Sequence, residues 1–300
     1  MKISAPTIDV SHLIYDPEEL SAARAIAVCV PGALSSINIF EPTHAWRAQG
    51  YGMAYYPFPG LDGRAIAPKL NIQEAASEIV QLAAKYPDKP VRLLGYSTGG
   101  PIVISAAAQM QGDVKVAAMA PAVEAGGGLR TGVPGLWDIV KSAMRSKPLQ
   151  PKAVWMEYYR VLLFGRAVRN DRALSELADQ LIAEHREQLV LPDGGKPRAH
   201  TDDLRYWRAP QGCAFSADRV RFFVGLKDPV FSLAQTQELC RKLGTITITG
   251  YPDHGHLLFL SHKPVFEDVY NFFEDIPDEG QGIDVTDGAL VALSGAGNSE

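Results

Sequence analysis

One stretch, VRLLGYSTGGPIVISAAAQM at residues 91–110, limits the fold of this chain more than any other. An apolar run from Val91 to Leu94, broken by Arg92 alone, leads into Ser97, which has Gly95 and Gly99 two residues to either side. An alanine-rich helical pattern from Pro101 to Met110 follows. The GxSxG spacing predicts a strand, a sharp turn and a helix. The serine backbone is strained in such a turn, its neighbours have no room for side chains, and the hydroxyl is lifted into the open. The alternative is a Gly-Ser-Gly loop without chemistry, and the strand pattern before it and the helix pattern after it weigh against that.

The flanking chain has the same alternation. Residues from Ile8 to Tyr15 suit an edge strand, AIAVCV at Ala25 to Val30 a buried strand ending in Pro31 and Gly32, and YGMAYYPF a further strand after a helical stretch from Ile37 to Gln49. Asn71 and Glu74 resemble a capping box before an apolar period from Ile72 to Ala83. VKVAAMAPA follows this sharp turn at Ser97, the elbow, and its helix as the next strand, and strands that alternate with helices imply a mainly parallel sheet. The strand signal then stops. Residues 123–211 read as a helical cap inserted into the core, glycine-rich at the entrance (EAGGGLRTGVPG), with a turn signal in LPDGGKP and with Trp155 and Tyr159 among its aromatic residues. The core pattern resumes with VRFFVGLKD, a helix from Ser232 to Leu243, TITITGYPD and a last helix from Pro264 to Phe273. The expected organisation is a core of residues 1–122 and 212–276, a cap of 123–211 and a tail of 277–300, in which GALVAL is the one candidate docked segment.

Composition narrows the partners. A net charge of −5 with scattered Lys and Arg gives no basic stripe for nucleic acid or an anionic membrane, so a small-molecule substrate is the expected partner. Cys29, Cys213 and Cys240 have no metal-ligand spacing and read as reduced thiols. With no apolar leader in the first residues and no membrane-length apolar run, the expected location is the cytoplasm.

A serine hydroxyl needs a base, and the base needs a third group to hold its tautomer. His254 and His256 both follow TITITG, and His256 is the better candidate because it follows Gly255 and opens the apolar run HLLFL. His12, His44, His185, His200 and His262 are expected to be structural or exposed. Asp228 directly follows VRFFVGLK, at the sheet edge where catalytic groups collect, and it gives the chain order Ser, Asp, His. A plain turn cap is its other reading, and Glu124 is the substitute acid. Two backbone donors for a developing oxyanion are expected from the N–H groups of Thr98 and Ala33, because Pro31 has none.

GYSTGG, GLKDPV and PDHGH, with a Pro-Gly turn upstream, together resemble the α/β-hydrolase superfamily over nearly all of residues 1–275 outside the insertion. The resemblance implies a mostly parallel central sheet with helices on both faces and an inserted helical cap. It also implies Ser97 as nucleophile, Asp228 as acid, His256 as base, and Ala33 and Thr98 as oxyanion donors. The implied activity is a serine hydrolase that cleaves a carboxylic ester of a small, hydrophobic substrate through an acyl-enzyme, with no metal or organic cofactor. Trp155 and Tyr159 would then line the substrate pocket or form the core of the cap. Thioesterase, lactonase, carbon–carbon bond hydrolase and perhydrolase chemistries use the same triad, and a ligand-binding member of the fold would keep it without turnover. Serine at the elbow disfavours the dehalogenase and epoxide-hydrolase chemistries that depend on aspartate. Two departures from the family pattern stand out. Many relatives have His-Gly where this chain has Pro31 and Gly32, so a polar side chain beneath the oxyanion site is lost. The loop YPFPGLDG differs from the commoner Asp-rich version and gives Asp62 no role.

Overall fold

The computed structural model describes residues 12–124, 151–186, 188–190, 195–244, 246–277, 280 and 282–286. Residues 125–135 of the entrance EAGGGLRTGVPG, residues 191–194 of the turn signal and GALVAL lie outside them. Eight strands form one sheet: β1 (Ile14–Tyr15), β2 (Ala25–Val30), β3 (Tyr51–Tyr55), β4 (Val91–Tyr96), β5 (Val114–Met119), β6 (Val220–Gly225), β7 (Thr247–Tyr251) and β8 (Ile283–Asp284). Their order is β1-β3-β2-β4-β5-β6-β7-β8, parallel throughout except for the antiparallel edge strands β1 and β8.

Every residue of β2, β4 and β5 is buried, as a parallel strand covered on both faces requires. Successive side chains alternate between two cores. Ile26, Val28, Leu93 and Val116 point to the layer formed by the helices Ile72–Ala84, Gly99–Ala107 and Leu233–Leu243. Ala27, Cys29, Leu94 and Ala117 point to the layer of Ile37–Gln49, Leu258–Ser261 and Val265–Phe273. Arg92, the one charge in the central strand, sits where the strand starts. Its guanidinium reaches Asp113 with bonds of 2.7 and 3.1 Å, and this pairing holds the Asp113 carboxyl below the usual range. Cys29 is buried, which pushes its thiol up to about 12, so it is an inert core residue.

Three local differences from the sequence reading have physical causes. The stretch Ile37–Gln49 is a 3-10 helix with Pro42 inside it, which removes a donor that an α-helix needs. The helix after Ser97 begins at Gly99, so Pro101 falls in its first turn, where no N–H is required. β8 lies in the segment expected to be a tail, and pairs with β7 through two residues, too few for any periodicity.

Between β5 and β6 the described chain is helical at Pro151–Phe164, Arg172–Glu184 and Lys196–Thr201. Val161 to Phe164 pack into the same core layer as Leu257 to Leu260. Trp207 and Ala209 pack in the opposite layer, where the Trp207 indole donates to Ser105 Oγ at 3.0 Å. Among the described residues, no helix is long and apolar enough to cross a membrane.

Candidate active site

β4 delivers the chain to Ser97, whose φ of 48° lies in the left-handed region. This costs a non-glycine residue about 1–2 kcal/mol, and three backbone bonds hold it there. Ser97 N–H donates to Met119 C=O at 2.9 Å, and Ser97 C=O accepts from Gly100 and Ala122, each at 2.9 Å. A Cβ at Gly99 would stand 2.6 Å from the Pro31 carbonyl oxygen, so only glycine lets the new helix start against the end of β2.

Ser97 Oγ lies 3.0 Å from His256 Nε2, and His256 Nδ1 lies 2.7 Å from Asp228 Oδ2. A carboxylate only accepts, so Nδ1 carries the proton and Nε2 presents its lone pair to the serine hydroxyl. The second oxygen of Asp228 accepts from Val230 N–H at 2.7 Å and Phe231 N–H at 3.1 Å. This is the expected turn cap, and it coexists with the bond to histidine because a carboxylate has two oxygens. The His256 ring lies against Tyr96 and Phe231, with centroids 5.4 and 5.6 Å away. Its loop is clamped from outside: Gly255 N–H donates to Leu163 C=O at 2.7 Å and Leu257 N–H to Leu162 C=O at 3.0 Å.

The substitute candidates lie elsewhere. Glu124 accepts from Ala209 N–H and Lys242 Nζ, each at 2.6 Å. His254 turns its ring toward His262 at 4.8 Å and Phe164 at 6.4 Å, and among the described residues its Nδ1 has no partner.

The turn after β2 lies directly on the elbow. A Cβ at Gly32 would stand 2.8 Å from Ser97 Cβ and from the Tyr96 ring. Among the described residues, no backbone hydrogen bond uses the N–H of Ala33 or of Thr98, the residue before the first helical turn. A backbone N–H without a backbone acceptor is the kind of group that can donate to an anion. Two residues given no site role from sequence bond to this turn or to the segment that follows it. Asp62 accepts from Ser36 Oγ at 2.5 Å and from Ile37 N–H at 3.0 Å, in the segment just beyond the turn. His200 is buried, with Nδ1 3.0 Å from Leu34 N and Nε2 2.7 Å from Pro59 O.

The model of the alpha/beta hydrolase family matches residues 27–268. The chain belongs to the alpha/beta hydrolase family. Solved structures with the same fold include a Mycobacterium tuberculosis H37Rv protein described as a non-heme bromoperoxidase, at 18% identity and TM-score 0.68, covering 92% of this chain and 100% of that one. An esterase from Exiguobacterium antarcticum aligns at 16% identity and TM-score 0.59, covering 84% and 93%. A thermophilic esterase from Thermogutta terrifontis aligns at 12% identity and TM-score 0.58, covering 85% and 91%. No curated protein sequence matches significantly.

In this alpha/beta hydrolase the two aromatic residues chosen from the insertion lie together on the helix Pro151–Phe164, their ring centroids 6.5 Å apart. Tyr159 is buried and its hydroxyl donates to Val190 C=O at 2.8 Å, whereas Trp155 is half-buried and stacks edge-on to Tyr158 at 5.7 Å. Among the described residues, neither has a hydrogen bond or ring contact with Ser97, Asp228 or His256. Nor, among those residues, do three His, Cys, Asp or Glu side chains gather as a metal would require.

Proposed function

We propose that this alpha/beta hydrolase is a serine hydrolase that cleaves carboxylic esters of small, hydrophobic substrates through an acyl-enzyme. The observation that carries the reading is the unbroken hydrogen-bonded chain from Asp228 through His256 to a serine held in left-handed backbone. In the proposed reaction Ser97 Oγ attacks the ester carbonyl carbon while His256 Nε2 takes its proton. Asp228 stabilises the resulting imidazolium without taking the proton itself. The carbonyl oxygen becomes an oxyanion beside the N–H groups of Ala33 and Thr98. When the tetrahedral species collapses, the carbon–oxygen bond to the alcohol breaks and His256 protonates the leaving oxygen. Water then attacks the acyl-serine by the same route in reverse, releasing the acid and restoring Ser97. No step draws on a metal or an organic cofactor.

Rapid mixing of the protein with excess p-nitrophenyl acetate tests this. The expected result is a burst of nitrophenolate approaching one per active site, followed by slower turnover, with both phases reduced ~10⁴-fold or more in Ser97→Ala. Undiminished hydrolysis by Ser97→Ala contradicts the reading.

A further inference from the structure

We propose that His200, contributed by the helix Lys196–Thr201 of the inserted segment, is a positioning residue for the oxyanion turn, an inference that rests on the serine-hydrolase reading of the site. The turn Pro31-Gly32-Ala33-Leu34 has no side chain able to hydrogen-bond its own backbone, yet Leu34 is held at φ 60°, a conformation a leucine does not adopt unaided. It must be fixed by something outside it.

Two consecutive peptide planes are fixed, each by one bond. Ser35 N–H donates to Gly32 C=O at 3.2 Å. That carbonyl belongs to the same plane as the Ala33 N–H, so the bond points Ala33 N–H the opposite way. The next plane carries the Leu34 N–H, which donates to His200 Nδ1 at 3.0 Å. The His200 ring cannot swing away, because its Nε2 lies 2.7 Å from Pro59 O and Phe58 packs edge-on to it at 5.3 Å. Its tautomer is set by the same geometry: a carbonyl oxygen only accepts, so the proton sits on Nε2 and Nδ1 is left as the acceptor. The ring is 1% exposed, so no water takes over either bond. Burial, with Lys196 and Arg64 adding to it, holds the His200 pKa below its ordinary value, consistent with a neutral ring. Where Pro31 supplies no polar side chain beneath the oxyanion site, His200 supplies the hold from the far side of the turn.

The test compares His200→Ala, His200→Asn and His200→Gln. Asparagine places a carbonyl oxygen near the position of Nδ1 and keeps the bond to Leu34. Glutamine places its amide near Nε2 and keeps only the bond to Pro59. With p-nitrophenyl acetate, kcat is expected to fall roughly 10- to 100-fold in Ala and Gln and to recover to within about threefold of wild type in Asn, with KM little changed throughout. A merely structural role would lower the melting temperature of all three alike without this order in kcat. Equal kcat in the three variants overturns the proposal. A second readout needs no turnover: nitrogen-15 NMR of the wild-type histidines at pH 7 should show His200 protonated on Nε2 only, and a proton on Nδ1 overturns the proposal. A wild type with no ester turnover sinks the hydrolase reading alone, and the NMR result still decides whether His200 holds the turn.

Discussion

The backbone N–H of Gly255 donates to the carbonyl oxygen of Leu163 at 2.7 Å, so the last turn of the helix Pro151–Phe164 holds the loop that carries His256. Those final carbonyls have no partner inside their own helix, and the histidine loop satisfies two of them. Any Cβ at Gly255 would press against the Leu162 carbonyl oxygen, well inside contact distance. Gly255→Ala is therefore expected to displace the imidazole and lower kcat by about 10²-fold, because misplacement on the order of 1 Å has that effect. Steady-state kinetics beside a thermal melt checks this. Wild-type kcat in a folded variant contradicts it.

Strain at Ser97 gives a second expectation. At φ 48° alanine keeps the steric cost that serine has, whereas glycine has none. Both Ser97→Ala and Ser97→Gly should lose ester turnover. In denaturant unfolding Ser97→Gly should be the more stable of the two by about 1 kcal/mol. An alanine variant as stable as the glycine variant would show that the elbow is unstrained.

The elbow was legible in the sequence because its strand, serine, glycines and helix are contiguous, Asp228 because it directly follows a strand pattern, and His256 because it lies in the loop after one and opens the apolar run HLLFL. His200 was not: it meets Leu34 across 166 positions, and no local pattern marks a histidine that will face a backbone N–H. The bonds of Asp62 were equally out of reach, since its partners Ser36 and Ile37 belong to another loop. Trp207 falls within the expected insertion, and only the packing puts it against the helix that follows Ser97.

Trp155 and Tyr159 should separate by function. Tyr159 is buried and bonded to Val190, so Tyr159→Phe is expected to cost about 1 kcal/mol of stability and to leave chain-length preference unchanged. Trp155→Ala is expected to lower kcat/KM for p-nitrophenyl hexanoate and longer esters more than for acetate, since each methylene buried is worth about 0.8 kcal/mol. A panel of acyl lengths measures both. A loss with Trp155→Ala that is uniform across lengths removes it from the pocket wall.

His262 makes stability sensitive to acid. It is buried between Tyr251, at 4.6 Å, and His254, at 4.8 Å, and among the described residues its Nε2 has no partner. Burial, helped by the nearby His254, lowers its pKa from the ordinary 6.5 to about 4. Between those values the unfolded chain binds the proton and the folded chain does not, so the contribution to stability is complete above pH 6.5 and is lost as pH falls toward 4. The melting temperature of wild type should therefore drop more between pH 7 and pH 5 than that of His262→Phe. His254 and His200 shift in the same direction, so the difference is a reduced slope and not a flat line. Parallel curves for the two proteins contradict the assignment.

The central claim is that Ser97 is a nucleophile activated by His256, and covalent labelling tests it most directly. After treatment with a fluorophosphonate, intact-mass and peptide mass spectrometry should find one adduct per chain, on Ser97. His256→Ala should slow the labelling by several orders of magnitude, because the members of such a chain act as a unit, whereas His254→Ala should label at close to the wild-type rate. An adduct on another residue, no adduct on the folded wild type, or equal loss in the two histidine variants would contradict the account.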